Sequence, residues 1–340
     1  MAESSETDGI VLRYYEKIRD EQGSELARFR MLWDEIFHDP AEFAEYYFRD
    51  VCVNNKILGA YIGEELVGMI HLNPYNIYTD TGITDSYYIV GVAVKERLRR
   101  RGIMRLMMER VIEDMQKWGC LFAFLMPKRR EYYTCFGFRT IYETCVMKFE
   151  ICEDGCAEVF GYNKQMYSEM QQDILDISEL SGKEMEILAG YINQKLSEQY
   201  SFFSERSERY LRNMLEEHQC QHGGVAIIGE KQCLCLFSYD NYDDTMYVER
   251  FELLVHPLSD EKLIYVIAQI LAFAGKKQCK SCNLTVPLFV AEMMKKVRKS
   301  DAWTRKLICN PGYGIMALSL ARETFPVDKM KNISFFDEIV

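Results

Sequence analysis

Apolar residues in this chain recur with two different periods, and each change of period marks a new element. Tyr87–Val94 is a run rich in β-branched and aromatic residues, which predicts a buried strand. A polar turn, 95–101, follows and is closed by Gly102. Beyond it Ile103, Met107, Val111, Met115 and Trp118 recur at helical spacing, with Arg105, Glu109, Arg110, Glu113 and Lys117 on other faces. Upstream, Ile10–Phe37 reads as two helices, or one helix broken near Gly23, ending before Pro40. Residues 55–78 read as a hairpin around Gly63-Glu64-Glu65, and a further turn falls between Asp80 and Asp85. Downstream, Cys120–Met126 predicts a fully buried strand ending at Pro127, and Thr140–Phe149 a last one. This order of helices, three antiparallel strands, helix, strand, helix and strand describes a mixed α/β sheet with helices on its faces.

The second half reads as a repeat of the first. After a polar, irregular stretch at 152–176, helical patterning resumes from Ile177 through Ile187, Tyr191 and Leu196 to the aromatic group Tyr200, Phe202 and Phe203. Strands are expected at Gly223–Ile228, Gln232–Ser238 and Met246–Val255, then a helix at Glu261–Ala274 and a strand at Ser281–Val286. A helix at Leu288–Val297 and a strand or two within Arg305–Ala321 complete the pattern. The parallel is closest from Val94 to Pro127 and from Val255 to Pro287, each a polar turn, a helix and a strand ending in proline. The expected division is residues 1–150, a connecting segment 151–176, and a second domain 177–340. The second turn, from His256, lacks arginine and glycine, and Pro257 removes an N–H. A structural duplicate without cofactor is expected there.

A glycine-bearing turn between strand and helix leaves main-chain N–H groups pointing outward, where the helix dipole adds positive potential. The turn of the first half adds Lys95, Arg97, Arg99, Arg100, Arg101 and Arg105. Such a place suits a phosphate. Around it the chain is acidic, with a formal net charge of −11 over 340 residues, which argues against general nucleic-acid affinity and favours cationic small partners. No long uncharged apolar run suggests a membrane span, and the acidic start is unlike a secretory signal. The 12 cysteines are scattered, several within apolar runs such as Cys120, Cys145, Cys233 and Cys235, so a reduced, cytoplasmic protein is expected. A single CxxC, Cys279 to Cys282, lacks the second pair of a zinc site, and no metal is expected.

Arg99-Arg100-Arg101-Gly102-Ile103-Met104 resembles the Gln/Arg-x-x-Gly-x-Gly/Ala signature of the GNAT superfamily of N-acetyltransferases, with Met104 at a position where a small residue is usual. Tyr133-Thr-Cys-Phe-Gly137-Phe138 resembles that family's Tyr-x-x-x-Gly-Phe segment. Val92-Ala93-Val94 before the arginine turn, with a duplicated second half, is similar to the enhanced-intracellular-survival (Eis-like) branch, although the residues after Pro287 are expected to be too few for the third domain typical of that branch. The resemblance implies tandem GNAT-like domains, the second degenerate, and direct acetyl transfer from acetyl-CoA to a primary amine of a small cationic molecule or a protein. It implies that the N–H groups and guanidinium groups of Arg99, Arg100, Arg101, Gly102, Ile103, Met104 and Arg105 hold the pyrophosphate. The pantetheine arm would pair with Val92, Ala93 and Val94, and a backbone N–H at Val92 or Ala93 would meet the oxyanion. Tyr133 would donate a proton to the leaving thiolate, whose thiol pKa is about 8.5. The base that deprotonates the amine is left open among the Val340 carboxylate, His71 and water. A non-catalytic acyl-CoA-binding module is the alternative from another class, and a homo-oligomer stays open. Neither nucleic acid nor membrane is expected as a partner.

Overall fold

The computed structural model describes residues 9–16, 23–151, 173–229, 234–255, 258–296, 308–321 and 333–334. Two compact units emerge. The first comprises 1–141, 201–205 and 315–340, and the second 142–200 and 206–314. They divide nine residues earlier than the expected end at 150, inside a strand, and the first unit reclaims two segments from the second half. The Cys152–Asp176 stretch lies mostly outside the described residues, but its last part is a strand rather than a loop.

The first unit opens with β1 (Ile10–Glu16), α1 (Gly23–Phe37), α2 (Ala41–Tyr46), a wide π-helical turn at Tyr47–Val51 and a tight 3₁₀ turn at Cys52–Asn54. There follow β2 (Lys56–Ile62), β3 (Glu65–Thr79), β4 (Gly82–Val94), α3 (Ile103–Lys117), β5 (Phe122–Leu125) and the one-turn α4 (Glu131–Thr134). Helical patterning predicted over Ile10–Glu16 is corrected to a strand. Ile10, Leu12 and Tyr14 alternate onto one face and pack on the core, while Tyr15 meets Phe29 and Tyr61 on the other. Seven residues paired with β2 outweigh a periodicity too short to specify a helix.

Strands β1 to β4 are antiparallel neighbours, and β5 joins β4 in parallel. The next neighbour of β5 comes from far along the chain. Met316–Ser319 of β13 (Ile308–Ser319) pairs antiparallel with Phe122–Leu125. Beyond the end of β2, β3 pairs instead with β8 (Phe202–Ser204), where Tyr78 stacks on Phe203 with centroids 4.6 Å apart, and β14 (Ile333–Ser334) flanks β8. Phe202 and Phe203, read as the end of a helical stretch, are thus strand residues of the first unit.

One face of this sheet carries α3. Met107, Met108, Val111 and Met115 are buried against Leu58, Ile70, Leu72, Ala123 and Leu125. The methionines fill core, as flexible apolar side chains do. On the other face Phe29 and Trp33 of α1 pack with Tyr47, Phe48 and His71, all buried.

The second unit contains β6 (Arg139–Glu150, from Tyr142 onward), β7 (Ile174–Asp176), α5 (Gly182–Ser197), α6 (Glu208–Gln219), β9 (Gly224–Ile228), β10 (Cys235–Tyr242), β11 (Thr245–Leu253), α7 (Asp260–Lys276), β12 (Ser281–Pro287) and α8 (Leu288–Lys296). Its sheet runs β6-β12-β11-β10-β9-β7, with β11 and β12 parallel and the other pairs antiparallel. The strand-helix-strand unit β11-α7-β12 therefore repeats β4-α3-β5. Helix α6 has no counterpart in the sequence reading, yet its signals are present: Ser207 caps it, and Leu211, Met214, Leu215 and His218 recur at helical spacing on the buried face. Against α6 lies a layer of buried charge. Arg206 pairs with Glu252, Arg250 with Glu217 at 3.2 Å and Tyr210 at 3.1 Å, and His218 Nδ1 lies 2.7 Å from Asp240.

Candidate active site

The candidate site is built on the C-terminal half of β4. Pairing with β5 is confined to Tyr87 opposite Ala123 and Tyr88 opposite Phe124, so from Ile89 onward β4 parts from β5. On its other edge β4 stays paired with β3, but with a bulge: Met69 faces Ala93 and His71 faces Val90, so Gly91 and Val92 oppose Ile70 alone. Gly91 has φ +60°, and a Cβ there would come within 2.7 Å of the Trp33 ring. Only glycine fits, for both reasons. Such a bulge takes main-chain groups at Gly91–Val92 out of the ladder and frees them for a ligand. Sequence reasoning passed over Gly91, although a lone glycine inside an apolar strand is the usual mark of a bulge.

After Val94 the chain makes a short turn, Glu96–Leu98, and reaches Arg100 at φ +67° and Gly102 at φ +79°. These two left-handed residues turn it sharply into α3. The first bond closing the helix runs from Leu106 N–H to Gly102 C=O at 2.9 Å, and no side chain caps the start. The N–H groups of Ile103, Met104 and Arg105 therefore lack intrahelical acceptors. The first turn contains no acidic residue.

The six basic residues divide. Lys95 (2.7 Å) and Arg97 (2.5 Å) both bind Glu65, and those cations, Arg97 first, lower its carboxyl pKa to about 2. Arg99 reaches Glu96 and the Val94 carbonyl, both at 3.4 Å. Arg100, Arg101 and Arg105 are exposed at the glycine turn, each without a hydrogen bond or ion pair to the described residues. Ile103 is buried, and Met104 is half-buried against the core, where its bulk fills space beside the helix start.

Tyr133 sits in the single turn of α4. Phe136 and Phe138 N–H both donate to its carbonyl, at 3.1 and 3.4 Å, and Gly137 has φ +93°. The buried Phe138 ring stands edge-on to the phenol at 6.1 Å. Thus glycine permits the turn and phenylalanine anchors it, which is the physical content of the Tyr-x-x-x-Gly-Phe segment. Burial pushes the Tyr133 pKa up to about 12, so the phenol stays protonated at neutral pH. Tyr133, Val92, Val94 and Met104 all pack on the same core cluster. Ala93 is buried too, but its side chain is outside that cluster and its backbone is within the β3 ladder. Tyr132, beside Tyr133, is exposed and receives a 3.2 Å hydrogen bond from Arg129.

His71 is fully buried and 2.9 Å from the Tyr47 hydroxyl. Burial lowers its pKa to about 3, so it is neutral and shut off from an incoming amine. Val340, whose terminal carboxylate is another candidate, lies outside the described residues, as do Cys233, His256 and Pro257. Among the described residues no group of His, Cys, Asp and Glu could hold a metal, and Cys279 and Cys282 are both buried.

The helix start of the second unit differs. Ser259 Oγ accepts from Lys262 N–H at 3.3 Å, and Asp260 and Glu261 occupy the first turn of α7. That N-terminus is satisfied by its own hydroxyl and carboxylates.

Comparison with known proteins bears on the fold and on the first unit. A family model described as an acetyltransferase (GNAT) domain matches residues 17–141. A conserved protein of Enterococcus faecalis V583, described as "Probable N-Acyltransferase", shares the fold with TM-score 0.67 at 15% identity, covering 93% of this chain and 74% of that one. Eis1 from Mycobacterium abscessus gives 0.60 at 13%, covering 92% and 74%. Saccharomyces cerevisiae N-myristoyltransferase with bound myristoyl-CoA gives 0.54 at 8%, covering 91% and 82%. No curated protein matches the sequence. Residues 17–141, which hold β4, the glycine turn, the start of α3 and Tyr133, thus match a GNAT acetyltransferase domain, and the chain as a whole shares the fold of the solved N-acyltransferases.

Proposed function

We propose that the first unit transfers the acetyl group of acetyl-CoA directly to a primary amine. The observation that carries this reading is the coincidence of an open strand gap with an uncapped helix start at the end of the same strand. The gap begins after Tyr88, and the N–H groups of Ile103–Arg105 lie beyond the last residues of β4. An extended amide chain laid along Val92–Val94 would pair as an added strand, with its diphosphate at the N-terminus of α3. Arg100, Arg101 and Arg105 supply charge, and Arg99 lies close by. At the other end the bulge offers the Val92 N–H as oxyanion donor, better placed than Ala93, which is engaged with Met69.

Tyr133 completes the set as donor to the departing sulfur. With its pKa raised to about 12, against about 8.5 for a thiol, it donates a hydrogen bond to the thiolate rather than surrendering its proton outright. The amine loses its proton to water or to the chain's terminal carboxylate. A cationic acceptor, as a small polyamine or a protein amine, suits a chain of net charge −11. Free thiols at Cys52, Cys120, Cys135 and Cys279 fit a reducing, cytoplasmic setting.

Calorimetric titration with acetyl-CoA, followed by a thiol-release screen over amines, tests the reading. Micromolar binding with CoA released by at least one amine is expected. Binding without release across a broad panel would favour a non-catalytic acyl-CoA-binding module.

A further inference from the structure

Beneath the β4 bulge lies a buried polar relay. Asn55 Nδ2 donates to the Tyr47 oxygen at 3.1 Å, and the Tyr47 hydroxyl is 2.9 Å from His71 Nδ1. All three residues are at most 1% exposed. With its oxygen accepting from Asn55, the hydroxyl has its own proton to place, and His71 Nδ1 is the acceptor in reach. That assignment puts the imidazole proton on Nε2. No described group accepts from Nε2. The rings of Phe29 and Phe48 stand perpendicular to the imidazole, at 6.1 and 6.0 Å, so that ring edges and π faces meet. Cys52 Sγ, 3.9 Å from Nδ1, is the other titratable group against the ring, and burial pushes its pKa up to about 12.

The imidazole also touches the bulge. A Cβ built on Gly91 would lie 3.3 Å from both Cγ and Cδ2 of His71, and Trp33 closes the same space. His71 itself faces Val90 across the ladder, immediately before the two residues that bulge. Trp33 stacks on Tyr47 at 4.5 Å and donates from Nε1 to Asp39 at 2.8 Å, which fixes the wall against which the imidazole rests.

We propose that His71 is a positioning residue: fixed by Tyr47 and Asn55 as the neutral Nε2–H tautomer, it braces the Gly91–Val92 bulge. For catalysis this rests on the reading that Val92 meets the thioester oxygen. The bracing itself does not. A histidine that acts this way takes no proton from the amine and contributes no limb to the pH profile.

Three readouts test it, the first on the unaltered protein. Long-range 1H–15N correlation of the imidazoles should show His71 as the Nε2–H tautomer, without titration from pH 8 to pH 5. An Nδ1–H tautomer, or titration near pH 6.5, overturns the assignment. Second, Tyr47→Phe keeps the ring and removes the proton given to Nδ1. Amide exchange of the peptide covering Ile89–Ala93 should then quicken about tenfold, and unchanged exchange there overturns the bracing. Third, the same variant should lose about tenfold in kcat with KM for acetyl-CoA within twofold, and His71→Asn, which keeps an acceptor near Nδ1, should lose less than His71→Leu. A kcat within twofold of wild type in Tyr47→Phe overturns the catalytic part. Should the wild type transfer no acetyl group, the proposed function fails, while tautomer and exchange still decide the brace.

Discussion

The two units place a helix after a parallel-paired strand in the same way and finish its first turn in opposite ways. At Gly102 the backbone turns left-handed, no side chain caps α3, and three arginines stand exposed beside open N–H groups. At Ser259 a hydroxyl caps α7, and Asp260 and Glu261 put negative charge where a phosphate would have to sit. The same dipole is thus left available in one copy and neutralised internally in the other. A second contrast lies on the opposite faces of the sheets. The first unit packs Phe29, Trp33, Tyr47 and Phe48 around a neutral histidine, whereas the second buries the ion pairs Arg206–Glu252 and Arg250–Glu217 beside the His218–Asp240 hydrogen bond. Rings allow a bulged strand to be wedged from below. Buried ion pairs add little net stability but penalise misregistered packing, because each mismatch strands a charge. Ligand-directed features collect in the first unit, and locking features in the second.

Four experiments press on that contrast. The largest effect is expected from Tyr133→Phe, which should lower acetyl transfer about 10²-fold while acetyl-CoA still binds, read by steady-state kinetics beside calorimetry. Transfer within twofold of wild type would remove the phenol from the mechanism. Next, Gly102→Asp imports the second unit's solution into the first, with a Cβ in left-handed backbone and a carboxylate at the helix start. The Kd for acetyl-CoA should rise about tenfold or more, some 1.4 kcal/mol.

A third expectation concerns acid. His71 has a folded pKa of about 3, below its unfolded value of about 6.5, so it takes up a proton only on unfolding. Its contribution is complete above pH 6.5 and declines as pH falls towards 3. Wild type should therefore lose up to about 1.4 kcal/mol per pH unit more than His71→Asn in that window, measured by denaturant unfolding. Equal slopes would place the histidine in a wetter setting than the aromatic box. Last, Ser259→Ala should cost about 1 kcal/mol of stability in the second unit and leave acetyl-CoA affinity unchanged. A weakened Kd would mean that the second helix start is not insulated from cofactor binding.

The local features of the site were legible in the sequence. Tyr87–Val94, the glycine turn and the Ile103 helix each follow from a pattern confined to a few residues, and β4 and α3 lie where those patterns put them. The repeat was legible for the same reason. What escaped depends on partners far away. Ile10–Glu16 becomes a strand because β2 pairs with all of it, and Phe202–Ser204 because β3 and β14 receive it. Gly91 needed the ladder with β3 to show that two residues oppose one. His71 looked like a possible base, because nothing in a linear sequence says that Phe29, Trp33, Tyr47 and Phe48 converge on it.

The pairing of Phe122–Leu125 with Met316–Ser319 has a consequence for biogenesis. A ribosome that has made the segment through Phe138 has not yet made the neighbour of β5, and about 180 further residues must emerge before that edge is covered. Until then a four-residue apolar strand stays open to any chain that offers it hydrogen bonds. Nascent chains stalled after residue 150 should therefore engage chaperones, and slow closure of so long a loop should set the refolding rate of the full polypeptide.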